Sequence, residues 1–209
     1  MSTTKALSLL VLLVFVSLVH ATNQCPINSI YQFGDSIADT GNLIRSGPAS
    51  SPTPKPLPQR RHKSPSSFKN GVNFAVSGST ALNSSFFTAR NLHVPATNTS
   101  LSTQLALFKS HLRSTCHSSS SDCLKQSLLM VGEIGGNDYN YGFFQGKTME
   151  EIRSYIPHVV GAITAAARDV IRAGAVNVVI PGNFPVGCFP IYLTSFPVKD
   201  PKAYETMVA

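Results

Sequence analysis

The stretch INSIYQFGDS, residues 27 to 36, is the part of the sequence that most clearly indicates the fold. Its apolar run from Ile27 to Phe33 is typical of a buried β-strand, and Gly34-Asp35-Ser36 indicates a tight turn directly after that strand. The sequence therefore predicts a strand whose carboxyl end carries a serine in a sharp turn.

Three further apolar runs also end in turns. Strands are predicted at Val72 to Val76, at Ser127 to Val131 and at Val176 to Ile180. Long, partly helical connections separate the four runs, and this order predicts an α/β fold with a parallel sheet and helices on its faces. In such a sheet a ligand site lies beyond the carboxyl ends of the strands.

Two helical stretches are predicted between these strands. Apolar residues at 101, 105, 108 and 112 indicate a helix from Leu101 to Leu112. Thr148 and Glu151 have the spacing of a capping box, and the helix that follows is expected to be kinked at Pro157 and to end at Gly174. Its buried face is expected to contain Ile152, Ile156, Val159, Val160, Ile163, Ala167, Val170 and Ile171.

The turns after the first three strands carry residues suited to acyl transfer. Ser36 offers a nucleophile, Gly78 allows a substrate to approach the backbone closely, and Asn137 offers a side-chain amide donor for a developing oxyanion. Each turn taken alone is ordinary loop composition. Their shared position at strand ends is what indicates a candidate site.

Composition fits one domain with a real core. The chain has 209 residues, of which 43% are hydrophobic, and its formal net charge is +7. Residues 48 to 67 hold six prolines and most of a basic cluster, Lys55, Arg60, Arg61, Lys63 and Lys69. We expect this segment to be irregular and solvated. Nucleic-acid binding is the weaker interpretation. The segment has no aromatic residue except Phe68 at its end, and no binding motif is recognisable in it.

The first 21 residues have the pattern of a secretory signal peptide. Lys5 precedes an apolar run from Ala6 to Val19, and Ala21 stands at the expected cleavage point. This run is too short to cross a hydrocarbon core of about 30 Å comfortably, so cleavage is favoured over a membrane anchor and no membrane span is expected afterwards. Glycosylation acceptors at Asn83 and Asn98 agree with a secreted, extracellular protein.

Secretion also makes the four cysteines informative. Cys116 and Cys123 could close a small disulfide ring. Cys25 and Cys188 could pair with each other, or each could have lost a partner. No pair of cysteines or histidines has the spacing of a zinc site, so a metal is not expected.

Four blocks of the sequence resemble the plant GDSL esterase/lipase family, part of the SGNH hydrolases. They are FGDSIADTGN at residues 33–42, NGVNFAVSGSTAL at 70–82, GEIGGND at 132–138 and FPVGC at 184–188. Within this family, the sequences of these blocks are most similar to the branch of acetylajmalan and sinapine esterases. The resemblance covers most of residues 25 to 209.

This resemblance implies a flavodoxin-like α/β/α sandwich over residues 22–209 that hydrolyses carboxylic esters through an acyl-serine. Ser36 would be the nucleophile, and the N–H groups of Ser36 and Gly78 with the side chain of Asn137 would form the oxyanion hole. No cofactor or metal is implied, and the substrate would be a small-molecule or lipid ester. The alternative is a catalytically silent relative that binds such a ligand.

The sequence departs from the family pattern in two ways. Family members carry a longer Gly-, Phe-, Arg- and Asp-rich stretch where the Pro-rich basic segment stands here, and a longer C-terminal region with a further strand, helices and an Asp-x-x-His pair. No aspartate of this sequence is followed three residues later by histidine. We therefore expect an incomplete domain that is weak or inactive. Surface or core roles are expected for His20, His62, His93, His111, His117 and His158, of which His111 is assigned to a helix surface or loop.

Overall fold

The computed structural model describes residues 27–46, 70–116 and 119–196. The predicted signal peptide at 1–21, Cys25 and the Pro-rich basic segment at 48–67 lie outside the described residues.

Four parallel strands form one sheet in the order β2-β1-β3-β4. Their bounds are β1 Ser29–Phe33, β2 Gly71–Asn73, β3 Ser127–Val131 and β4 Asn177–Val179. The sheet confirms the four predicted strands, although β2 and β4 are shorter than expected. Beyond the end of β2, the N–H groups of Phe74 and Val76 still donate to the carbonyls of Gln32 and Gly34, so the chain keeps its place beside β1.

Helices connect the strands. They are α1 Asn42–Ser46, α2 Ser84–Thr88, α3 Leu101–Thr115, α4 Ser120–Leu124, α5 Gly136–Phe144, α6 Met149–Arg153, α7 Ile156–Arg172 and α8 Pro190–Ser195, with a 3-10 turn at Val186–Cys188. The predicted helix at Leu101 is confirmed as α3. It begins after Ser100, whose hydroxyl accepts a hydrogen bond from the N–H of Thr103 and so satisfies a free donor of the first turn.

The core lies between one face of the sheet and a layer formed by α3 and α7. Helix α3 packs on β1, α7 packs on β3, and the two helices contact each other. Phe33 of β1 is fully buried, with its ring 5.3 Å from the ring of Phe108 on α3 in an edge-to-face arrangement. The α/β class with a parallel sheet and flanking helices is thus confirmed.

The expectation of one helix kinked at Pro157 is wrong. Helix α6 ends at Arg153 and α7 begins at Ile156, with Pro157 in the first turn of the second helix. Proline is well suited to a first turn, because the N–H that it lacks would have no acceptor within the helix there. The chain therefore starts a new helix at this proline.

Both predicted helix ends are present. The Thr148 hydroxyl accepts a hydrogen bond from the N–H of Glu151 at 3.1 Å and caps α6. After α7, Gly174 has a φ of +107°, and its N–H donates to the carbonyl of Ile171. Ala175 then donates to Val170 in the pattern of a Schellman motif, which needs a left-handed residue at the glycine.

The predicted buried face of α7 is too wide. Val159 and Val170 are buried, but Ile156, Val160 and Ile171 are 46%, 54% and 55% exposed. Periodicity identifies an apolar stripe but not how much of it a neighbour covers. Among the described residues, strand β4 pairs only with β3, so its other side is an open sheet edge.

The described cysteines agree in part with the sequence. Cys116 and Cys123 lie at disulfide distance, with Cα atoms 6.1 Å apart, which confirms the small ring. Cys188 is exposed and has no disulfide partner among the described residues, and its possible pairing with Cys25 stays a prediction. Within the three described ranges, no helix combines the length and the apolar character that a membrane crossing needs.

Candidate active site

The order of the strands brings three of the predicted turns to one edge of the sheet. β1 lies between β2 and β3, and the strands are parallel, so their carboxyl ends are neighbours. Ser36, Gly78 and Asn137 belong to the segments that follow these three ends. The fold therefore places the three segments side by side, as the sequence predicts.

Ser36 stands at the tip of a turn organised by the residue before it. The carbonyl of Asp35 accepts hydrogen bonds from the N–H groups of Ala38 and Asp39, at 3.3 and 3.0 Å. One carboxylate oxygen of Asp35 accepts a further bond from the N–H of Ile37 at 3.1 Å. Because these bonds fold the chain back around Asp35, that side chain is buried and Ser36 is exposed.

The carboxylate of Asp39 joins this turn to the one that carries Gly78. It accepts hydrogen bonds from the N–H groups of Gly41, Asn42 and Leu43, and from that of Ser77 at 2.8 Å. Burial opposes ionisation here, but these four bonds outweigh it and lower the pKa of Asp39. A charged side chain thus holds the two turns together.

Two asparagines add further links between the same segments. The amide of Asn42 donates to the carbonyls of Asn73 and Ala75, at 3.0 and 2.7 Å. The amide of Asn73 donates in the opposite direction, to the carbonyl of Ala38 at 2.6 Å. The backbone that follows β1 is therefore fastened to the backbone that follows β2.

Gly78 occupies a place that no other residue fits. Its φ of +80° is in the left-handed region, and a Cβ at this position would lie 2.2 Å from the Cβ of Ala96. The hydroxyl of Tyr141 donates to the Gly78 carbonyl at 2.9 Å. The peptide at Gly78 is thus packed against the loop at Ala96 on one side and held by helix α5 on the other.

Asn137 connects the two turns from the first turn of α5. Its Nδ2 donates to the carbonyl of Ser79 at 2.9 Å and to a carboxylate oxygen of Asp35 at 3.2 Å. These acceptors belong to the immediate chain neighbours of Gly78 and Ser36. The amide thus contacts the residue before Ser36 and the residue after Gly78. Both of its hydrogens have acceptors within the protein.

Three buried carboxyl groups lie beneath this edge of the sheet. Burial raises the pKa of Asp35, and burial with the nearby charge of Asp35 raises the pKa of Glu133 to about 7. Asp138 is fully buried and accepts hydrogen bonds from the N–H groups of Ala81 and Leu82. Burial is the largest cause that raises the pKa of Asp138 to about 7.

Gln104 is a residue of the site that sequence reasoning missed. Its Oε1 accepts from the N–H of Gly34 at 2.9 Å, and its Nε2 donates to the carbonyl of the same residue at 2.8 Å. The available indication was a glutamine beside the apolar positions of α3, where it is fully buried. Asp35, Asp138 and Tyr141 were also missed, since their partners are distant in sequence.

The described histidines occupy core and surface positions. His111 is buried on α3 with its ring 5.8 Å from that of Tyr31, which corrects the expectation of a surface position, and burial lowers its pKa. His93 and His158 are exposed. Across the part of the chain that the structure describes, no group of three or more His, Cys, Asp or Glu residues could hold a metal ion.

The structure thus places an exposed serine turn, a tight glycine turn and an asparagine amide at one edge of a parallel α/β sheet. The sequence model of the family described as GDSL-like Lipase/Acylhydrolase matches residues 30–208. The chain therefore belongs to this family.

Named relatives agree with this assignment. A GDSL esterase/lipase of Arabidopsis thaliana is 83% identical over 205 residues, which cover 98% of this chain and 62% of the relative. Acetylajmalan esterase 2 of Rauvolfia serpentina is 40% identical, over 90% of this chain and 62% of the relative. Sinapine esterase of Brassica napus is 38% identical, over 86% and 56%. The chain thus spans less than two thirds of the length of these relatives.

Proposed function

We propose that this protein is a serine ester hydrolase whose nucleophile is Ser36. The observation that carries the proposal is the double hydrogen bond of Asn137, which reaches the neighbours of both Ser36 and Gly78. In this proposal the N–H groups of Ser36 and Gly78 and the Nδ2 of Asn137 form the oxyanion hole. Such donors act on the charge that develops on the carbonyl oxygen in the transition state.

The reaction would proceed through a covalent intermediate. The Ser36 hydroxyl attacks the ester carbonyl, the C–O bond to the alcohol breaks, and water then hydrolyses the acyl-serine. Attack requires a base that takes the hydroxyl proton, and the sequence contains no Asp-x-x-His pair. Loss of the base costs a serine hydrolase on the order of 10⁴ to 10⁶ in turnover. We therefore propose weak activity for the 209-residue chain.

The test compares hydrolysis of a short-chain nitrophenyl ester by the protein, by Ser36→Ala and by Ser77→Ala. Ser77 is the matched control, because it lies in the neighbouring turn and contributes its backbone N–H to Asp39. We expect slow turnover that Ser36→Ala abolishes and Ser77→Ala retains. Turnover unaffected by Ser36→Ala would refute the proposal, and rapid Ser36-dependent turnover would show that another group acts as the base.

The substrate proposed is a small-molecule or lipid ester. Two of the relatives are named as esterases of acetylajmalan and of sinapine, and these names support a small-molecule ester for this chain. A panel of nitrophenyl esters of increasing acyl length, scored as the Ser36-dependent rate, tests this proposal. A rate that rises steadily with acyl length would favour a lipid substrate.

We propose further that the protein is secreted and glycosylated. The apolar run within residues 1–21 and the Cys116–Cys123 pair support an oxidising compartment. Asn83 and Asn98 are both exposed, so a glycan could be accommodated at either position. In a plant secretory host, removal of N-glycans should lower the mass, and Asn83→Gln and Asn98→Gln should each abolish part of that change.

One observation favours a second candidate, a silent relative that binds an ester without hydrolysing it. Both hydrogens of the Asn137 amide already have acceptors within the protein. Binding of a non-hydrolysable ester analogue that is unchanged by Ser36→Ala, with no measurable turnover, would support this candidate over the hydrolase.

A further inference from the structure

The carboxylate of Asp35 contacts two separate parts of the site. One oxygen accepts from the N–H of Ile37 within the turn of Ser36. The other oxygen accepts from the Nδ2 of Asn137, which is 102 residues away in sequence. Asp35 is only 3% exposed, so water does not compete freely for these bonds. This side chain is therefore a direct connection between the turn of the proposed nucleophile and the proposed oxyanion donor.

We propose that Asp35 is a positioning residue that holds the amide of Asn137 in place for the oxyanion. This inference rests on the proposed function. The 2.9 Å bond to the Ser79 carbonyl fixes one hydrogen of the amide, and the 3.2 Å bond to Asp35 aligns the other. The hydrogen that Asp35 aligns is the one that would be shared with an ester oxygen during the reaction. Asp35 itself does not touch the substrate in this arrangement.

The surroundings of Asp35 make this bond sensitive to protonation. Glu133, in the segment after β3, and Asp138 and Tyr141, on α5, interact electrostatically with Asp35. Asp39, in the same turn, donates its N–H to the Asp35 carbonyl. None of these described groups is a cation that would lower the pKa of Asp35, and burial raises it. A protonated Asp35 is a poorer acceptor for Asn137, so the bond should strengthen as pH rises.

The test follows the side-chain amide of Asn137 by ¹H–¹⁵N NMR, with the signal assigned from its absence in Asn137→Asp. As pH rises from acid through the ordinary carboxyl range and beyond it, we expect the wild-type amide signal to shift, because burial raises the pKa of Asp35 above its ordinary value. Asp35→Asn, which is nearly isosteric, should remove this pH-dependent shift.

Asp39→Asn is the matched control. Asp39 lies in the same turn, and its carboxylate bonds backbone N–H groups rather than Asn137. We expect this variant to lower stability while the Asn137 signal keeps its pH dependence. A pH-independent Asn137 signal in the wild-type protein would overturn the proposal even if no variant folds. An unchanged titration in a folded Asp35→Asn would overturn it equally.

Activity measurements add a second readout. Removal of one oxyanion donor typically lowers kcat by about 10² to 10³, so a misaligned donor in Asp35→Asn should lower kcat by roughly 10-fold with little change in KM. An equal rise in KM would indicate a general distortion of the site and would count against positioning. The NMR result does not depend on turnover, so failure of this inference and failure of the proposed hydrolysis can be distinguished.

Discussion

The carboxylate of Asp39 lies 2.8 Å from the backbone nitrogen of Ser77 and accepts its hydrogen bond. This contact joins two turns that are 38 residues apart in sequence. One turn carries Ser36 and the other carries Gly78. The relative position of these two residues therefore depends on Asp39, a charged residue that is neither the proposed nucleophile nor a proposed oxyanion donor. Several consequences of this arrangement can be measured.

Asp39→Ala should destabilise the protein. Four backbone N–H groups lose their acceptor, and hydrogen bonds to charged groups are each worth about 1.5 to 3 kcal/mol, part of which water restores at this partly exposed site. We expect the free energy of unfolding in urea at neutral pH to fall by about 2 kcal/mol or more.

The effect of Asp39 should depend on pH. Its pKa is lowered in the folded state, so its contribution to stability is present above the ordinary carboxyl pKa and is lost as pH falls through the lowered value. The difference between the wild-type protein and Asp39→Ala should therefore shrink in acid. Equal stability of the two proteins at neutral pH would contradict this prediction.

Gly78→Ala should be far more damaging than Gly146→Ala. Both glycines have a positive φ, +80° and +76°, so both substitutions strain the backbone by about 1 kcal/mol. At Gly146 a Cβ meets nothing within 4 Å, whereas at Gly78 it would lie 2.2 Å from the Cβ of Ala96. Overpacking of this kind adds about 1 to 3 kcal/mol.

A second substitution separates the clash from the strain. In Gly78→Ala combined with Ala96→Gly, the colliding Cβ of residue 96 is gone, while the unfavourable φ and a 3.1 Å approach to the Tyr141 hydroxyl remain. We expect thermal unfolding to show partial recovery of stability in this double variant. If the double variant is as unstable as Gly78→Ala alone, the contact with Ala96 is not the cause.

Glu133→Gln should stabilise the protein at alkaline pH. Burial and the charge of Asp35 raise the pKa of Glu133 to about 7, so the wild-type protein loses stability as pH rises from the ordinary carboxyl pKa through about 7. A neutral glutamine removes this loss. We expect a gain on the order of 2 kcal/mol at alkaline pH and almost none in mild acid.

The control for Glu133→Gln is Glu150→Gln, which changes an exposed carboxylate on α6. Its stability should follow the wild-type pH profile. If the stability of Glu133→Gln and that of the wild-type protein change with pH in parallel, ionisation of Glu133 does not destabilise the folded state.

Val179→Lys should reduce self-association. Among the described residues β4 pairs only with β3, and Val176 and Val179 are exposed. Residues 175–198 contain no charged side chain. Natural edge strands commonly carry lysine, which opposes pairing with another chain. Light scattering should show less aggregation at equal concentration. Val178→Lys, on the side of β4 that packs against the core, should instead destabilise the fold.

Much of the scaffold could be predicted from local sequence. An apolar run followed by glycine located the ends of β1 and β3, and the residues that follow them stand where the site was expected. The interruption before α7 could not be predicted in this way. Proline disrupts a helix interior but suits a first turn. Which of these applies to Pro157 depends on the turn at Ser154 and Tyr155, which separates α6 from α7.

The contacts within the site could not be predicted either. Asp35 bonds Asn137 across 102 residues and Gln104 bonds Gly34 across 70, and no local pattern connects such partners. The same limit explains the exposed part of α7. Ile156 and Val160 repeat at helical spacing, as buried residues do, but burial depends on what packs against them.

The paired bonds between Gln104 and Gly34 restrict what evolution can place on helix α3. Gly34 donates its N–H to the Gln104 side chain and accepts a hydrogen bond from the same side chain at its carbonyl. A carboxamide supplies an acceptor and a donor in one planar fork without having to take up a proton, as a carboxylate would, and asparagine is one methylene shorter than glutamine. Position 104 should therefore tolerate almost no variation, although it lies outside the four sequence blocks that resemble the family.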